Sequence, residues 1–344
     1  MTLAEFLEGE IEAGSFPGGA ALVGSSEAVL ESAFAGRAAV EPDEDPLRED
    51  TLFDLASLTK PLAGGALVAL SGLPVDSAPG RFLPAWKASR FAGITLERLL
   101  THTSGLPAWY PLYARGEGPE AYRRALAELT PAAAPGSAVI YSDLNFLLLT
   151  EVLERELGPL DRAFLELVAR PAGSAARYLP ADPGGTAATE RGDATERRMT
   201  AELELSYSRF RTEVVRGEVH DGNALRRGGV SAHAGLFGTA RDVWALARTW
   251  LSPERAALAR DRTPDLSEAR GLAWQGVRGA GSASPEMSPR AFGHTGFTGT
   301  SIWLEPERDR IAVLLTNRIH PEVRPGNFNE VRRRFHALAA GRPS

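Results

Sequence analysis

Ser57 and Lys60 stand three residues apart in Asp54-Leu55-Ala56-Ser57-Leu58-Thr59-Lys60-Pro61-Leu62. Of the chain's 38 basic residues only Lys60 and Lys87 are lysines, and Lys60 falls beside this serine. An arginine keeps its proton at any workable pH, whereas a lysine in a dry or electropositive site can shed one and act as a base. Residues at i and i+3 share a helix face, so the hydroxyl and the amine come within hydrogen-bond reach. Pro61 is tolerable only near the first turn of a helix, and Asp54 supplies a capping side chain ahead of it. Ser57 is therefore expected at a helix N-terminus, where free N–H groups and the helix dipole can receive a developing oxyanion. Its ordinary alternative is a serine that only caps the helix.

A second segment, Tyr141-Ser142-Asp143-Leu144-Asn145, follows the turn Ala134-Pro135-Gly136-Ser137 and leads into an apolar helix. A tyrosine becomes a useful base only where cations lower its pKa from about 10. Lys60 is the candidate cation. The third segment is Gly293-His294-Thr295-Gly296-Phe297-Thr298-Gly299. Small residues in such a run mark a strand whose backbone lies close to a ligand, and the Phe297 N–H is a candidate oxyanion donor. Taken singly, Tyr141 reads as a half-buried core residue and His294 as a satisfied histidine.

In this order the three segments resemble the serine penicillin-recognising hydrolases: class C β-lactamases, D-alanyl-D-alanine carboxypeptidases and related esterases. The signature of that superfamily is S-x-x-K, then Y-x-N, then K-T-G or H-T-G. The likeness continues through Leu99-Leu100-Thr101-His102-Thr103-Ser104-Gly105, Gly229-Val230-Ser231-Ala232-His233-Ala234-Gly235 and Leu315-Thr316-Asn317-Arg318, and so spans essentially the whole chain. It implies that Ser57 is the acylated nucleophile and that Lys60 and Tyr141 share the proton transfers. His294 would replace the lysine of the third motif, with Thr295 and Gly296 beside it. The oxyanion hole would fall to the backbone N–H groups of Ser57 and Phe297. No metal or organic cofactor is implied.

Position 143 departs from the signature. An asparagine there can donate to a substrate amide, whereas an ionised Asp143 only accepts. The expectation is a cytoplasmic esterase or D-amino-acid amidase or peptidase working through an acyl-enzyme on Ser57. Its alternatives are a β-lactamase or D-alanyl-D-alanine carboxypeptidase, and a penicillin-binding sensor without turnover. His220 and His233 read as hydrogen-bonded structural groups or pocket rim rather than metal ligands, because no H-x-H or H-x-x-x-H spacing occurs. His102, in its Thr-rich turn, reads as structural.

These residues need a scaffold, and the hydrophobic pattern suggests one. Leu3, Phe6, Leu7 and Ile11 predict a helix over 2–13. Residues 18–24 and 29–34 predict one hairpin; 301–304 and 310–316 predict another, followed by a terminal helix. The fold class expected is α/β (α+β), a β-lactamase/transpeptidase-like fold. An antiparallel sheet is built from both termini, 1–57 and 281–344, with a mostly helical region, 58–280, inserted to form one catalytic unit. Segments 172–199 and 278–290 read as surface loops, and Arg332-Arg333-Arg334 as the wet face of the terminal helix. Absent cysteines exclude disulfides and thiol chemistry. A net charge of −6 gives no reason to expect nucleic acid. The first residues do not read as a signal peptide and no run reaches membrane-spanning length. The expected partner is a small ester, amide or β-lactam.

Overall fold

The computed structural model describes residues 1–324 and 326–341. Its centre is a seven-stranded sheet, whose strands and those of a smaller sheet are, in chain order, β1 (Gly18–Gly24), β2 (Val29–Ala39), β3 (Asp45–Pro46), β4 (Phe53–Asp54), β5 (Arg177–Tyr178), β6 (Leu236–Gly238), β7 (Gln275–Gly276), β8 (Phe292–Thr295), β9 (Ser301–Glu305) and β10 (Arg310–Thr316). The large sheet runs β3-β2-β1-β10-β9-β8-β7, every pair antiparallel. Gly19 faces Thr316 and Val23 faces Ala312, so the two ends of the chain meet in the middle of the sheet.

Both faces are covered, and the period of two along each strand decides which residue goes where. Ala21 and Val23 with Ala312 and Leu314 face helices Leu3–Glu12 and Asn329–Ala340. Ala20 and Leu22 with Ile311, Val313 and Leu315 face the main core, which Leu58, Leu62, Phe146 and Trp274 extend into the helical region. The first helix begins with a capping box, Thr2 with Glu5.

Two segments differ from their expected form. β7 lies inside the stretch expected to be helical and forms the edge of the large sheet. Segment 172–199 is not a surface loop: it carries β5, begins the helix Ala194–Glu202, and buries Ala176, Ala188, Glu190 and Asp193. Its Ala172, Ala176, Ala187 and Ala188 are buried, whereas Gly173, Gly184 and Gly185 are exposed.

Candidate active site

The turn that carries Ser57 is built by Asp54 in β4. Its carboxylate accepts from the backbone N–H of Ala56 at 2.8 Å and of His220 at 2.7 Å. Burial pushes the Asp54 carboxyl up, and these two donors pull against that rise. Ala56 is held at φ +47°, a left-handed conformation that costs a non-glycine residue about 1–3 kcal/mol. Instead of the plain capped α-helix expected, the chain makes a 3₁₀ turn over Ala56–Leu58 and widens to a π turn over Lys60–Gly65 before becoming α-helical.

Lys60 is fully buried. Its Nζ donates to Ser57 Oγ at 2.8 Å and to the His233 carbonyl at 3.4 Å, and it pairs with Asp143 Oδ1 at 2.6 Å. Burial alone would push this amine down, but Asp143 and then Tyr141 outweigh it and hold Lys60 above its ordinary value. Dryness, the feature expected to make Lys60 a base, is thus overruled by a carboxylate at contact distance. Asp143 opens the helix Asp143–Leu157, where the dipole also favours its negative charge.

Tyr141 is set by the turn before that helix. His102, itself at φ +58°, accepts the Ser142 N–H on Nδ1 at 3.0 Å and lies 4.5 Å from the Tyr141 ring. The Lys60 ammonium is 4.9 Å from the same ring and the Arg270 guanidinium 5.5 Å. Arg270 is buried, 4% exposed, and nothing in its sequence context marks it.

The third segment runs off β8 and packs against the nucleophile turn. Thr298 Oγ1 donates to the Asp54 carbonyl at 2.8 Å and Thr300 Oγ1 to the Leu55 carbonyl at 3.1 Å. A Cβ on Gly296 would sit 2.1 Å from Thr300 Oγ1 and 2.7 Å from the Leu55 oxygen, so only glycine fits. His294 departs from its expected place among substrate-binding residues: it is 2% exposed and lines neither pocket beside Ser57. It donates from Nδ1 to the Thr295 carbonyl at 2.8 Å. Burial first, then Lys60 and Arg270, press it well below the usual histidine range, so it is neutral and cannot stand in for a lysine's charge.

Two pockets meet at Ser57. One, about 140 Å³, is walled by Trp109, Asp143, Glu196, Asp221 and Phe297. The other, about 380 Å³, shares Ser57, Asp143 and Phe297 and adds Tyr141, Thr295, Arg318 and Arg332. Arg332 corrects the expectation of a wet helix face: it is 7% exposed and donates to the carbonyls of Gly296 at 2.6 Å and Thr300 at 3.1 Å. Its Nε has no partner, and among the described residues no carboxylate pairs with it or with Arg318. Burial presses both guanidinium groups downward from the usual arginine range. The sequence signal available was helical period: Val331, Arg332, Phe335, His336 and Ala339 form one buried stripe.

His220 and His233 are held by carboxylates, His220 Nε2 by Glu190 at 3.0 Å and His233 Nε2 by Asp221 at 2.8 Å. Among the described residues, no group of three or more His, Asp or Glu is disposed to hold a metal ion.

A buried lysine bonded to a serine at the mouth of a pocket, on an antiparallel sheet closed by both termini, defines a serine hydrolase of the β-lactamase/transpeptidase fold. The β-lactamase family model matches residues 3–334, and the chain belongs to that family. It is 31% identical over 324 residues to an Escherichia coli (strain K12) protein named "Putative D-alanyl-D-alanine carboxypeptidase", covering 81% of this chain and 72% of that one. It is 30% identical to the N-acetylmuramyl-L-alanine amidase of Bacillus subtilis (strain 168), covering 94% of this chain and 83% of that one. Among solved structures, EstCE1, described as a hydrolase with promiscuous acyltransferase activity, superposes with a TM-score of 0.73 at 22% identity, covering 96% of each chain. A class C β-lactamase from Rhodobacter sphaeroides superposes with a TM-score of 0.71 at 20% identity over 97% of each. No helix among the described residues is long and apolar enough to cross a membrane.

Proposed function

We propose that the chain hydrolyses a peptide-like amide or ester whose leaving group carries a free carboxylate, through an acyl-enzyme on Ser57. The observation that carries the reading is the pair Arg318 and Arg332, two guanidinium groups without carboxylate partners on the wall that also holds Tyr141. A leaving group must lie within reach of the group that protonates it, so the basic wall beside Tyr141 is where its carboxylate would be met. The opposite pocket, with Asp143, Glu196 and Asp221 on its wall, offers carboxyl oxygens as acceptors to an acyl portion bearing an amino group.

In this reading Tyr141, as phenolate, accepts the Ser57 proton while Ser57 Oγ attacks the carbonyl carbon. Lys60 stays an ammonium; it orients Ser57 Oγ and steadies the charge around it. The backbone N–H groups of Ser57 and Phe297 take the oxyanion. Collapse of the tetrahedral species breaks the bond to the leaving group, which takes the proton back from Tyr141, and water then releases the acyl group by the same steps. Asp143 supports a second reading, a short-chain esterase, because an ionised carboxylate donates nothing to a substrate amide.

Intact-mass analysis after fluorophosphonate treatment should show one adduct in the wild type and none in Ser57→Ala. The substrate class is tested by kcat/KM for an acyl-D-Ala-D-Ala peptide, its C-terminal amide and an aryl ester. A preference for the free carboxylate that disappears in Arg318→Ala fits the first reading. Equal rates on peptide and amide, with the ester fastest, would replace it by the second.

A further inference from the structure

We propose that Arg270 is a positioning residue for catalysis, acting through Tyr141: its charge supports the phenolate form that takes the Ser57 proton. The proposal rests on the reading of Tyr141 as base given above, and on the placement of every charge that faces its ring. Lys60 is near, at 4.9 Å from the centroid, and its attraction to Tyr141 helps to raise it, but Asp143 stands 2.6 Å from its ammonium and offsets part of its field at the ring. His102 and His294, at 4.5 and 5.9 Å, are both neutral, pressed well below the histidine range by burial, with Arg270 and Lys60 adding to it. Arg318 and Arg332 share a pocket wall with Tyr141, but their guanidinium groups lie over Phe297 and Phe328. The second cation set over the Tyr141 ring is Arg270, 5.5 Å from its centroid and 4% exposed.

Its own counter-ion is Glu268, bonded to one terminal nitrogen, but the Glu268 side chain is 31% exposed and so partly screened by water. The Arg270 Nε has no partner. The fold fixes this cation from behind. The Arg270 N–H donates to Thr263 Oγ1 at 2.9 Å, its carbonyl accepts the Arg262 N–H at 2.8 Å, and its backbone bridges to Gln275 at the start of β7. At the neighbouring Gly271 a Cβ would lie 2.3 Å from the Ala259 oxygen, so the segment is packed backbone to backbone against Ala259. Arg270 lines neither pocket at Ser57, which separates it from residues that touch substrate.

The test is the pH profile of fluorophosphonate acylation. Losing the cation should move the acidic limb of Arg270→Met upward by about one unit, a loss of roughly tenfold below the limb, while Arg270→Lys keeps most of the wild-type rate. Glu268→Gln should move the limb the other way, because it frees the Arg270 charge. That variant leaves the buried cation in place and guards against an Arg270 variant that fails to fold. Opposite shifts from the two changes support the proposal. A rate that falls equally at every pH in Arg270→Met, or limbs that stay put in both variants, overturns it. Tyr141→Phe separates the two readings. If that variant keeps the wild-type rate, the base assignment and the proposal fall together. If it loses the limb while Arg270→Met retains it, Arg270 alone is excluded.

Discussion

At the scale of single residues, the site turns on Asp143 as much as on Ser57 and Lys60. Replacing the expected asparagine by aspartate puts a carboxylate 2.6 Å from a lysine with no exposed surface. Removing one partner of a buried pair leaves an uncompensated charge, which costs about 3–5 kcal/mol where both are dry. Asp143 is 21% exposed, so Asp143→Asn should lose an amount near the lower end of that range. The sign of its pH dependence follows from Lys60. A raised lysine pKa contributes stability that is complete below about 10.5, the ordinary value, and is lost only above it. In the variant the desolvation cost is unopposed by Asp143, so Lys60 can relieve it by giving up its proton as the solution becomes alkaline. The stability gap between Asp143→Asn and wild type, read from urea unfolding, should therefore be wider at pH 6 than at pH 9. A gap that does not change with pH would mean that Lys60 keeps its charge without Asp143.

At the scale of elements, the parts fixed by local pattern were legible. Alternating apolar residues around charged turns gave both hairpins, and helical spacing gave Leu3–Glu12. The nucleophile segment was legible as a helix start but not in its form. The left-handed Ala56 is imposed by Asp54 and by the Thr298 and Thr300 contacts from the turn between β8 and β9. The π turn coincides with Pro61, which has no N–H to donate, and with glycines pressed against a neighbour, since a Cβ on Gly65 would lie 2.7 Å from Ala273 Cβ. Those causes are tertiary, and local sequence does not carry them. Gly296 joins the two elements, so Gly296→Ala is expected to force β8 away from the Ser57 turn. Overpacking of this kind costs about 1–3 kcal/mol in stability, and a displacement near 1 Å at the chemistry can cost on the order of a hundredfold in rate. Comparing the variant's acylation rate with its melting temperature checks this. A variant with wild-type acylation would show that the β8 end does not set the geometry at Ser57.

At the scale of the whole molecule, the motif order made the fold legible, whereas the charges that converge from distant segments were not. Arg270 and Glu196 come from separate stretches and nothing local marks where a long-range contact will take them, whereas for Arg332 the helical period of the terminal helix was the one local signal. Glu196 shows what such a placement does to the protein as a whole. It is 7% exposed, and it accepts from the Gly222 N–H and, at 2.6 Å, from the Tyr113 hydroxyl. Burial first, then the nearby Asp221, raise it to about 7. The folded state therefore prefers Glu196 protonated. Its contribution to stability is complete below about 4.5, the value in the unfolded chain, and is lost as pH rises through about 7. Groups with depressed values, such as Asp45 and Asp261, contribute in the opposite sense at lower pH. Glu196→Gln removes the titration while keeping the shape: the amide oxygen can accept from Gly222, and Tyr113, already 3.1 Å from Thr200 Oγ1, can donate there and accept from the new amide. Relative to wild type, the variant should gain on the order of 1–3 kcal/mol in unfolding free energy between pH 5 and pH 8, read from urea curves at the two pH values. A difference that stays constant across that interval would mean that Glu196 ionises in the folded protein as it does in the unfolded chain, and that the acidic pocket carries one more full negative charge at neutral pH.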